Sequence, residues 1–337
     1  MTEHGIAVVI PCYKCRSQIL DVLARVGKEV RRIYVIDDCC PEGTGKLVQD
    51  RVNDPRVRVL FNAQNLGVGG AVMRGYRAAL EEKENAIIVK IDGDGQMDPA
   101  LLSRFAAPLR RGLADYTKGN RFYNPDQIYC MPKIRIFGNV VLSFLSKFST
   151  GYWQTFDFTN GYTAIAREVL RRLDMDKIDK RYFFESDMLF RLNIIRAVVT
   201  DIPMSARYGD EKSNLNIAQC VGRFFFKHCV NTAKRIFYNY FLRDLSLASL
   251  ELLLGLLLSI WGCLFGGFTW INALANNATT PAGTAILAGT MIIVGLQLLL
   301  GFFAYDMANV PSHPLHVLYA DEAQTDQDTD QHSQPQA

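Results

Sequence analysis

The sequence predicts an α/β fold, with a mostly parallel sheet in its amino-terminal part and two membrane-spanning helices near its carboxyl terminus. Three observations support this fold class. Short apolar runs alternate with amphipathic segments over the amino-terminal third of the chain, which is the pattern of βαβ units. Two long apolar runs follow residue 244. All 37 basic residues lie before that point, so the chain divides into a charged part and an apolar part.

Four short apolar runs are predicted to be strands, because each has the length of a strand and ends in turn-forming residues. They are IAVVI (6–10), RIYVI (32–36), VRVLF (57–61) and AIIVKI (86–91). Continuous apolar runs are typical of strands that a parallel sheet buries on both faces. In such sheets, ligands bind beyond the carboxyl ends of the strands.

The segments between these runs are predicted to be helices. Ser17 is a candidate N-cap for a helix on which Ile19, Leu20, Leu23 and Val26 share one face. Further helices are predicted after Gly43–Gly45, over 67–82 and from Asp98–Pro99 onward.

Two long apolar runs are predicted to cross a membrane. Residues 245–271 contain one charged side chain, Glu251, and residues 283–305 contain none. About 20 apolar residues span a bilayer as a helix, so both runs are long enough. The alternative is a buried helical hairpin in a soluble core, but two adjacent runs with so little charge favour the membrane. The loop 272–282 carries no charge and basic residues precede the first span, which predicts residues 1–243 and the tail on the cytoplasmic side of the inner membrane.

Charge is distributed unevenly along the chain. Residues 1–243 hold all 37 basic residues and 26 of the 34 acidic ones, a net charge of +11, and the remainder carries −8. Because 49% of the residues are hydrophobic, the chain as a whole is not disordered. The acidic, low-complexity segment 307–337 is predicted to be a disordered tail. The positive excess before residue 244 indicates an anionic partner.

The chain has eight cysteines, and the predicted cytoplasmic placement of residues 1–243 favours free thiols over disulfides. Cys12 and Cys15 form a C-x-x-C motif, and the Cys39–Cys40 pair is predicted to follow the neighbouring strand. A four-thiolate zinc site is therefore one option. The contiguity of Cys39 and Cys40, and the lack of a second C-x-x-C motif, argue against it.

The motif DGDGQ, directly after the fourth predicted strand, carries the strongest chemical signal. It places Asp92 and Asp94 two residues apart, with one glycine between them. Such hard oxygen ligands suit Mg²⁺ or Mn²⁺ held together with substrate phosphates, and Gln96 offers a further oxygen. Asp37 and Asp38 end another strand at the same sheet edge. The alternative is a solvated acidic turn, but four converging acids favour a cation together with a nucleoside diphosphate.

Five motifs in order resemble the family-2 glycosyltransferases with the GT-A fold: VVIPCYK (8–14), VIDDCCPEGT (35–44), NLGVGGA (65–71), KIDGDGQMDP (90–99) and GNRF (119–122). Later segments resemble the polyprenyl-phosphate hexosyltransferase branch of that family, which includes the dolichyl-phosphate mannose synthases and the bacterial polyprenyl-phosphate glucosyltransferases. These segments are TNGYTAI (159–165), FFESDMLFR (183–191), ARYGDEKSNL (206–215) and the paired apolar runs. Any one motif is weak, but their order and spacing together are specific.

The resemblance implies roles for individual residues. The donor pocket would be lined by residues at the first two strand ends: Pro11, Tyr13, Asp37 and Asp38. Asp92 would face the ribose and the metal, and Asp94 and Gln96 would ligate Mg²⁺ or Mn²⁺. Arg207 and Lys212, in an R-x-G-x-x-K arrangement, would clamp the diphosphate.

The implied reaction is an inverting, metal-dependent transfer of a hexose from a nucleotide-diphosphate sugar to polyprenyl phosphate. Asp94 with its metal, Arg207 and Lys212 would stabilise the departing nucleoside diphosphate. A lipid phosphate is already ionised near neutral pH and can attack the anomeric carbon without an obligatory general base. The acids that remain candidates for orienting the sugar or the phosphate are Asp157, Glu185 and Asp187. The alternative for each is a structural role, at a helix start or as a hydrogen-bond acceptor.

The acceptor phosphate is expected to bind basic residues near the membrane, namely Arg121, Lys133 and Arg135. In segment 132–148, apolar residues recur at helical spacing with basic residues between them, which is typical of a helix lying on anionic lipid. The juxtamembrane segment 216–243 has the same pattern. The alternative for both segments is a packed core helix with snorkelling basic side chains.

The expected organisation is a catalytic domain (1–215), a juxtamembrane helix (216–243), two spans (244–306) and the acidic tail. The expected partners are a nucleotide-diphosphate sugar, polyprenyl phosphate and membrane lipid, without nucleic acid. A homo-oligomer and a flippase or downstream transferase are further candidate partners. Two other functions stay open: a membrane glycosyltransferase that acts on another lipid or on a glycan, and a non-catalytic module that binds nucleotide sugars or scaffolds a flippase.

Overall fold

The computed structural model describes residues 5–123, 133–205 and 217–319, and gives only the backbone at 133–135 and 217–221. Seven strands form one sheet in the described residues. They are β1 (Gly5–Cys12), β2 (Val30–Asp37), β3 (Val57–Phe61), β4 (Asn85–Lys90), β5 (Tyr116–Asn120), β6 (Thr163–Ala166) and β7 (Val199–Pro203).

The sheet has the order β3-β2-β1-β4-β6-β5-β7. Strands β1 to β4 pair in parallel, as do β5 and β7, whereas β6 runs antiparallel to both β4 and β5. The predicted α/β class with a mostly parallel sheet is therefore confirmed. The four predicted strands match β1 to β4. Strands β5 to β7 escaped the prediction because YTKGN, TAIA and VTDIP contain polar residues or are very short.

Ten α-helices accompany the sheet in the described residues. They are α1 (Ile19–Ala24), α2 (Thr44–Arg51), α3 (Val68–Glu81), α4 (Leu102–Arg110), α5 (Lys133–Thr150), α6 (Arg167–Leu170), α7 (Phe184–Ile194), α8 (Ile217–Phe237), α9 (Leu247–Ala275) and α10 (Ala282–Ala308).

The four predicted helix starts can be compared with the structure. Helices α2 and α3 begin at Thr44 and Val68, close to their predicted starts. Ser17 does not cap α1: its hydroxyl donates to the Gln18 side chain, and the turn before the helix closes on the Cys15 carbonyl instead. Asp98 does begin a helix, because its side chain accepts from the Ala100 amide in the 3₁₀ turn that leads into α4.

The core of the amino-terminal unit lies on both faces of β1 and β2. Residues 6–10 and 33–36 are buried, and each large aliphatic side chain so buried contributes about 1.5–3 kcal/mol. Helix α3 lies close to the sheet at Gly75, where an added Cβ would overlap the Val9 side chain. This packing places the first turn of α3 at the carboxyl ends of the strands.

The chain divides into two compact units. The described residues up to Thr232, together with those from Pro311 onward, form one unit, and Ala233–Val310 form the other. In the second unit α9 and α10 pack through small residues: a Cβ at Gly295 would overlap the Ser259 hydroxyl, and one at Gly255 would lie 2.9 Å from Leu299 Cγ. Helix α9 follows the first predicted run from residue 247 and continues four residues into the predicted loop 272–282, and α10 covers the whole of the second run, 283–305.

The two apolar helices present large side chains outward. Phe268 is 72% exposed and Ile293 69% exposed. Both helices are long and apolar enough to cross a membrane. A buried hairpin in a soluble core would instead cover these side chains.

A buried charged cluster ties together the start and the end of the second unit. Both terminal nitrogens of the Arg235 guanidinium contact the Asp306 carboxylate, at 2.6 and 2.9 Å, and the Tyr240 hydroxyl donates to the same carboxylate at 2.6 Å. Arg235 and Asp306 are each 2% exposed. Asp306 is therefore neutralised inside the protein.

The segment after α10 differs from the predicted disordered tail. Residues 315–319 form a helical turn. Asp115 accepts hydrogen bonds from the Leu315 and His316 amides, both at 2.9 Å, and from His316 Nδ1 at 2.7 Å. The Arg172 guanidinium stacks on the Tyr319 ring. Because these bonds satisfy a buried carboxylate, residues 311–319, here called the strap, belong to the sheet-containing unit. Residues 320–337 lie outside the described part.

Candidate active site

A cavity of about 470 Å³ opens at the carboxyl ends of β1, β2 and β4. Its lining brings together residues from five segments of the chain: Pro11, Cys12, Tyr13, Cys15, Asp38, Asn65, Gly67, Val68, Ala71, Asp92, Gly93, Asp94, Arg181, Tyr182 and Glu185. The position agrees with the rule for parallel sheets. Of the residues predicted for the donor pocket, Pro11, Tyr13, Asp38 and Asp92 line it.

Asp37 and Asp38 are adjacent but have different surroundings. The Asp37 carboxylate is buried and accepts from the Cys40 and Gly45 amides at 2.7 and 2.6 Å. It is absent from the cavity lining, because it holds the entry to α2 in place. Asp38 lines the cavity and accepts from the Gly67 amide at 2.8 Å. Asp38 therefore shapes the turn before α3 as well as the cavity wall.

Asp92 and Asp94 both reach the cavity, whereas Gln96 does not line it. Gly95 has φ +78°, which turns the chain there, and the Gln96 amide donates to Asp94 at 3.0 Å. Gln96 thus contributes a backbone hydrogen bond at this site, and its role as a metal ligand stays a prediction.

The donor atoms suit a divalent ion that arrives with phosphate. Across the described ranges, no three His, Cys, Asp or Glu side chains are arranged to hold a metal ion by themselves. Mg²⁺ and Mn²⁺ usually bind through one or two carboxylates together with substrate phosphates. Asp94, with Asp92 beside it, fits that type of site.

A buried lysine contacts the acids of the cavity. Lys90, the last residue of β4, is 1% exposed, and its ammonium lies 2.7 Å from Asp92 and 3.9 Å from Glu185. Burial alone would lower the pKa of Lys90, but the two carboxylates outweigh it and raise the pKa above its usual value. Burial raises the pKa of Glu185 to about 7, although Lys90 opposes that rise. Lys90 is therefore cationic, and Glu185 is close to half-ionised near neutral pH.

Glu185 and Asp187 lie in the first turn of α7 and face different surroundings. Glu185 lines the cavity. Asp187 is buried and accepts from the Asp179 amide, from Arg191 Nε and from Asn231 Nδ2, at 2.9 to 3.1 Å. The structure therefore places Glu185 at the cavity and gives Asp187 a structural position.

Asp157 and Arg121 form a close ion pair just beyond the carboxyl end of β5. Two guanidinium nitrogens of Arg121 donate to the Asp157 carboxylate at 2.7 and 2.6 Å, and the Arg121 amide adds a third bond. Burial alone would raise the pKa of Asp157, but Arg121 and Lys118 lower it overall. Asp157 has φ +57° and is absent from the cavity lining. The pair lies at the same edge of the sheet as the cavity.

Several predicted site residues cannot be placed. Arg207 and Lys212, the predicted diphosphate clamp, lie outside the described residues. Lys133 and Arg135, predicted to bind the acceptor phosphate, lie in α5, whose side chains are described only from residue 136. Beyond that point α5 exposes Phe137 (71%) and Phe144 (57%).

Two cations at the cavity were missed by the sequence reading. Lys90 stands in an otherwise apolar strand. Because a lysine is rarely buried unless it is paired, this position could have indicated an acidic partner for Lys90. Arg181 lines the cavity and donates to Asn65 Oδ1 at 2.9 Å. No sequence pattern distinguished Arg181 from its basic neighbours.

The cysteines do not form the zinc site considered from the sequence. Cys12 and Cys15 are buried and line the cavity, whereas Cys39 is exposed. Cys40 Sγ accepts instead from the Lys14 amide at 3.1 Å. Partial burial alone would raise the pKa of Cys40, but hydrogen bonds from Thr44 and from nearby amides lower it overall.

Comparison with known proteins shows the family. The family model described as "Glycosyl transferase family 2" matches residues 7–174. An undecaprenyl-phosphate mannosyltransferase of Micrococcus luteus is 30% identical over 204 residues, which are 59% of this chain and 82% of the relative. The chain belongs to glycosyltransferase family 2. A polyprenol monophosphomannose synthase of Mycolicibacterium smegmatis is also 30% identical, over 59% of this chain and 76% of its own.

The fold of this glycosyltransferase also resembles a solved structure. Glucosyl-3-phosphoglycerate synthase from Mycobacterium tuberculosis, solved with Mn²⁺, UDP and glucosyl-3-phosphoglycerate, superposes with a TM-score of 0.51 at 18% identity. The match covers 69% of this chain and 80% of that one. The predicted GT-A fold is confirmed, and the cavity at the ends of β1, β2 and β4 is the candidate active site of the enzyme.

Proposed function

We propose that this enzyme transfers a hexose from a nucleotide-diphosphate sugar to polyprenyl phosphate, with inversion at the anomeric carbon. The observation that carries the proposal is the 30% identity, across most of their length, to two proteins whose names specify sugar transfer to a polyprenyl carrier. The cavity supports it, because its acids and its position suit a nucleoside diphosphate with a divalent ion. A lipid-linked monosaccharide would be the product.

The donor would occupy the cavity with its base and ribose near Pro11, Tyr13 and Asp38. Tyr13 is 47% exposed, so its ring is available to contact a base. Asp92 would accept from a ribose hydroxyl. Arg181 is the one cation among the described lining residues, and it would contact the diphosphate together with Arg207 and Lys212.

A divalent ion, Mg²⁺ or Mn²⁺, would be held by Asp94 and the donor phosphates, with Asp92 beside it. When bound, it would neutralise the negative charge that develops on the departing nucleoside diphosphate. The structure solved with Mn²⁺ and UDP belongs to a protein with a similar fold. The chain's own part is to present the Asp94 carboxylate at the cavity.

The chemical step would exchange one bond for another. An oxygen of the lipid phosphate forms a bond to the anomeric carbon while the bond from that carbon to the diphosphate oxygen breaks, and the electron pair leaves with the nucleoside diphosphate. The nucleophile is already an anion, so no proton has to be removed. Glu185 would hold a sugar hydroxyl rather than act as an obligatory base.

The acceptor phosphate would bind near Arg121, Lys133 and Arg135. The ion pair with Asp157 fixes the guanidinium of Arg121, which makes Asp157 a positioning residue in this proposal. Helix α5 would lie on the lipid surface, because its exposed phenylalanines can enter the apolar part of the membrane and the basic residues before them can contact lipid phosphates. The polyprenyl chain would then stay in the bilayer while its phosphate reaches the sheet edge.

The strap supports a two-span topology. It binds Asp115 in the same compact unit as the catalytic sheet, and α9 and α10 lie between the two in sequence. Two crossings return the chain to the side from which it started, as this contact requires. The basic residues before α9 favour the cytoplasmic face for the whole catalytic unit.

The test is an assay of membranes and of the purified enzyme with labelled UDP- and GDP-sugars, undecaprenyl phosphate and Mn²⁺ or Mg²⁺. We expect one sugar to appear in a lipid product that mild acid cleaves. Sealed vesicles that expose the cytoplasmic face should form it, and vesicles of opposite orientation should not. Label in a glycan or in another lipid would favour a different acceptor. Nucleotide binding without any product would favour the non-catalytic module.

A further inference from the structure

A fixed cation lies behind the acids of the candidate active site. Lys90 ends β4, between β1 and β6 in the sheet, and its ammonium is 2.7 Å from an Asp92 oxygen. Glu185 lies 3.9 Å from the same ammonium. The donor and metal assignments made above do not involve Lys90.

The fold is shaped to keep this ion pair closed. Gly161, two residues before the β6 residue that pairs with Lys90, covers the ammonium. A Cβ at Gly161 would overlap Lys90 Nζ and would lie 2.7 Å from an Asp92 oxygen. A residue with a side chain would therefore push the two charges apart. The glycine explains how the backbone approaches a buried charged pair so closely.

The ion pair of Lys90 and Asp92 changes the net charge that a metal ion meets in the cavity. Asp92 and Asp94 bring negative charge to the cavity, and Glu185 adds to it when ionised, so these acids attract a divalent ion even without a substrate. Lys90 occupies one oxygen of Asp92 and lies beside Glu185, so it offsets part of that attraction. Asp94 also lines the cavity, and its carboxylate accepts from the Gln96 amide at 3.0 Å.

We propose that Lys90 is a positioning residue that holds Asp92 for the donor and makes divalent-metal binding depend on the nucleotide. The inference rests on the proposed function, since it presupposes a nucleotide-diphosphate donor. In the free enzyme, Lys90 weakens metal binding because it neutralises one carboxylate. When a nucleoside diphosphate enters, its phosphates supply the missing negative charge, and the metal then binds together with the donor.

The experiment measures Mn²⁺ binding to the full-length, detergent-solubilised protein, from the electron paramagnetic resonance signal of free Mn²⁺, with and without UDP or GDP. In the wild type, the nucleotide should tighten Mn²⁺ binding strongly. In Lys90→Met, Mn²⁺ should bind the nucleotide-free protein about tenfold more tightly, because a positive charge has been removed next to Asp92. The enhancement by nucleotide should shrink correspondingly.

A matched control is Lys118→Met. Lys118 is also 1% exposed and pairs with a buried carboxylate, Asp201, at 2.9 Å. It should lose comparable stability but leave the ratio of Mn²⁺ affinities with and without nucleotide unchanged. If Lys90→Met does not fold, Gly161→Ala should change the ratio in the same direction by a smaller factor, because it displaces the ammonium without removing it.

Two results distinguish a failure of the proposal for Lys90 from a failure of the proposed function. If folded Lys90→Met and Gly161→Ala both bind nucleotide but keep the wild-type ratio of Mn²⁺ affinities, Lys90 is only a structural ion pair and the inference is overturned. If wild-type protein binds neither UDP nor GDP, the proposed function itself fails. The first measurement needs no acceptor and no knowledge of the sugar.

Discussion

At the carboxyl-terminal edge of the sheet, Asp92, Asp94 and Glu185 line an open cavity, whereas at the opposite edge Asp115 is enclosed by hydrogen-bond donors. Asp115 precedes β5 and accepts from the Val198 amide in addition to its three bonds from the strap. Burial alone would raise the pKa of Asp115, but these donors lower it overall. Asp92, Asp94 and Glu185 instead face the cavity.

The difference teaches how to separate structural from functional acids. A carboxylate whose oxygens are already bonded within the chain stabilises the fold and has little left for a ligand. A carboxylate that faces a cavity is available to a cation or to a hydroxyl of a ligand. By this criterion Asp37, Asp115 and Asp187 are structural, and Asp92, Asp94 and Glu185 are candidates for binding. Asp38 belongs to both groups, because it accepts from the Gly67 amide and also lines the cavity.

The largest effect is expected for Asp94→Asn. Turnover of the labelled nucleotide sugar should fall by about 10²–10³-fold, because the residue presented to the metal loses its charge. The unfolding temperature should stay the same or rise slightly, since two neighbouring acids no longer repel each other. Both quantities are measured on one preparation.

The matched control for that variant is Asp50→Asn, an exposed acid on α2. It should change neither turnover nor the unfolding temperature. Normal turnover in Asp94→Asn would contradict the assignment of Asp94 to the binding acids, because its carboxylate would then matter no more than an exposed surface acid.

An opposite pattern is expected for Asp115→Asn. The amide cannot accept all four bonds, so stability should fall by about 2–4 kcal/mol. The unfolding temperature and the protease sensitivity of the chain after Asn309 report this loss. Turnover well below the unfolding temperature should stay within about twofold.

His316→Gln sharpens the same test, because it keeps both backbone bonds to Asp115 and loses the imidazole contacts with Asp115 and the Leu109 carbonyl. Its loss of stability should be smaller than that of Asp115→Asn. Equal turnover losses in Asp115→Asn and Asp94→Asn would remove the distinction between the two edges.

The smallest effect concerns His228, a buried base with only one of its nitrogens partnered. Ser149 Oγ lies 2.7 Å from its Nδ1, its Nε2 is buried without a partner, and burial lowers its pKa to about 4. Because this pKa lies below the usual 6.5, the unfolded chain takes up the proton first as the pH falls. Stability should therefore decrease by about 2 kcal/mol between about pH 7 and pH 5.

His228→Phe should flatten that part of the pH dependence, as measured from unfolding temperatures of the solubilised protein. His313→Asn, which changes an exposed histidine, should keep the wild-type dependence. An unchanged slope in His228→Phe would mean that other groups account for the loss of stability in acid.

Much of the fold was readable from the sequence. Strands β1 to β4 appeared because buried parallel strands are continuous apolar runs, and α9 and α10 because so few charges interrupt them. Strands β5 and β7 did not appear, since Lys118 and Asp201 neutralise each other only across the assembled sheet. The strap was hidden for the same reason: Asp115 and His316 are 201 residues apart.

The sequence predicted the type of site and its edge of the sheet, but only some of the residues that line it. The spacing of Asp92 and Asp94 after a strand indicated their edge of the sheet, because strand direction alone sets it. The spacing could not distinguish Asp37 from Asp38, or Glu185 from Asp187, whose carboxylates differ in which distant amides reach them. It also gave no reason to connect Lys90 with Glu185.

The sequence by itself determined the family, the positions of the first four strands and of the two long apolar helices along the chain, and the acidic chemistry of the site, because these follow from local patterns and from motifs of fixed spacing. Only the tertiary structure decided which acids are satisfied inside the protein and which face the cavity. That distinction depends on donors from remote segments, such as the amides of the strap at Asp115 and the ammonium of Lys90 at Asp92. Their distances exist only once the chain has folded.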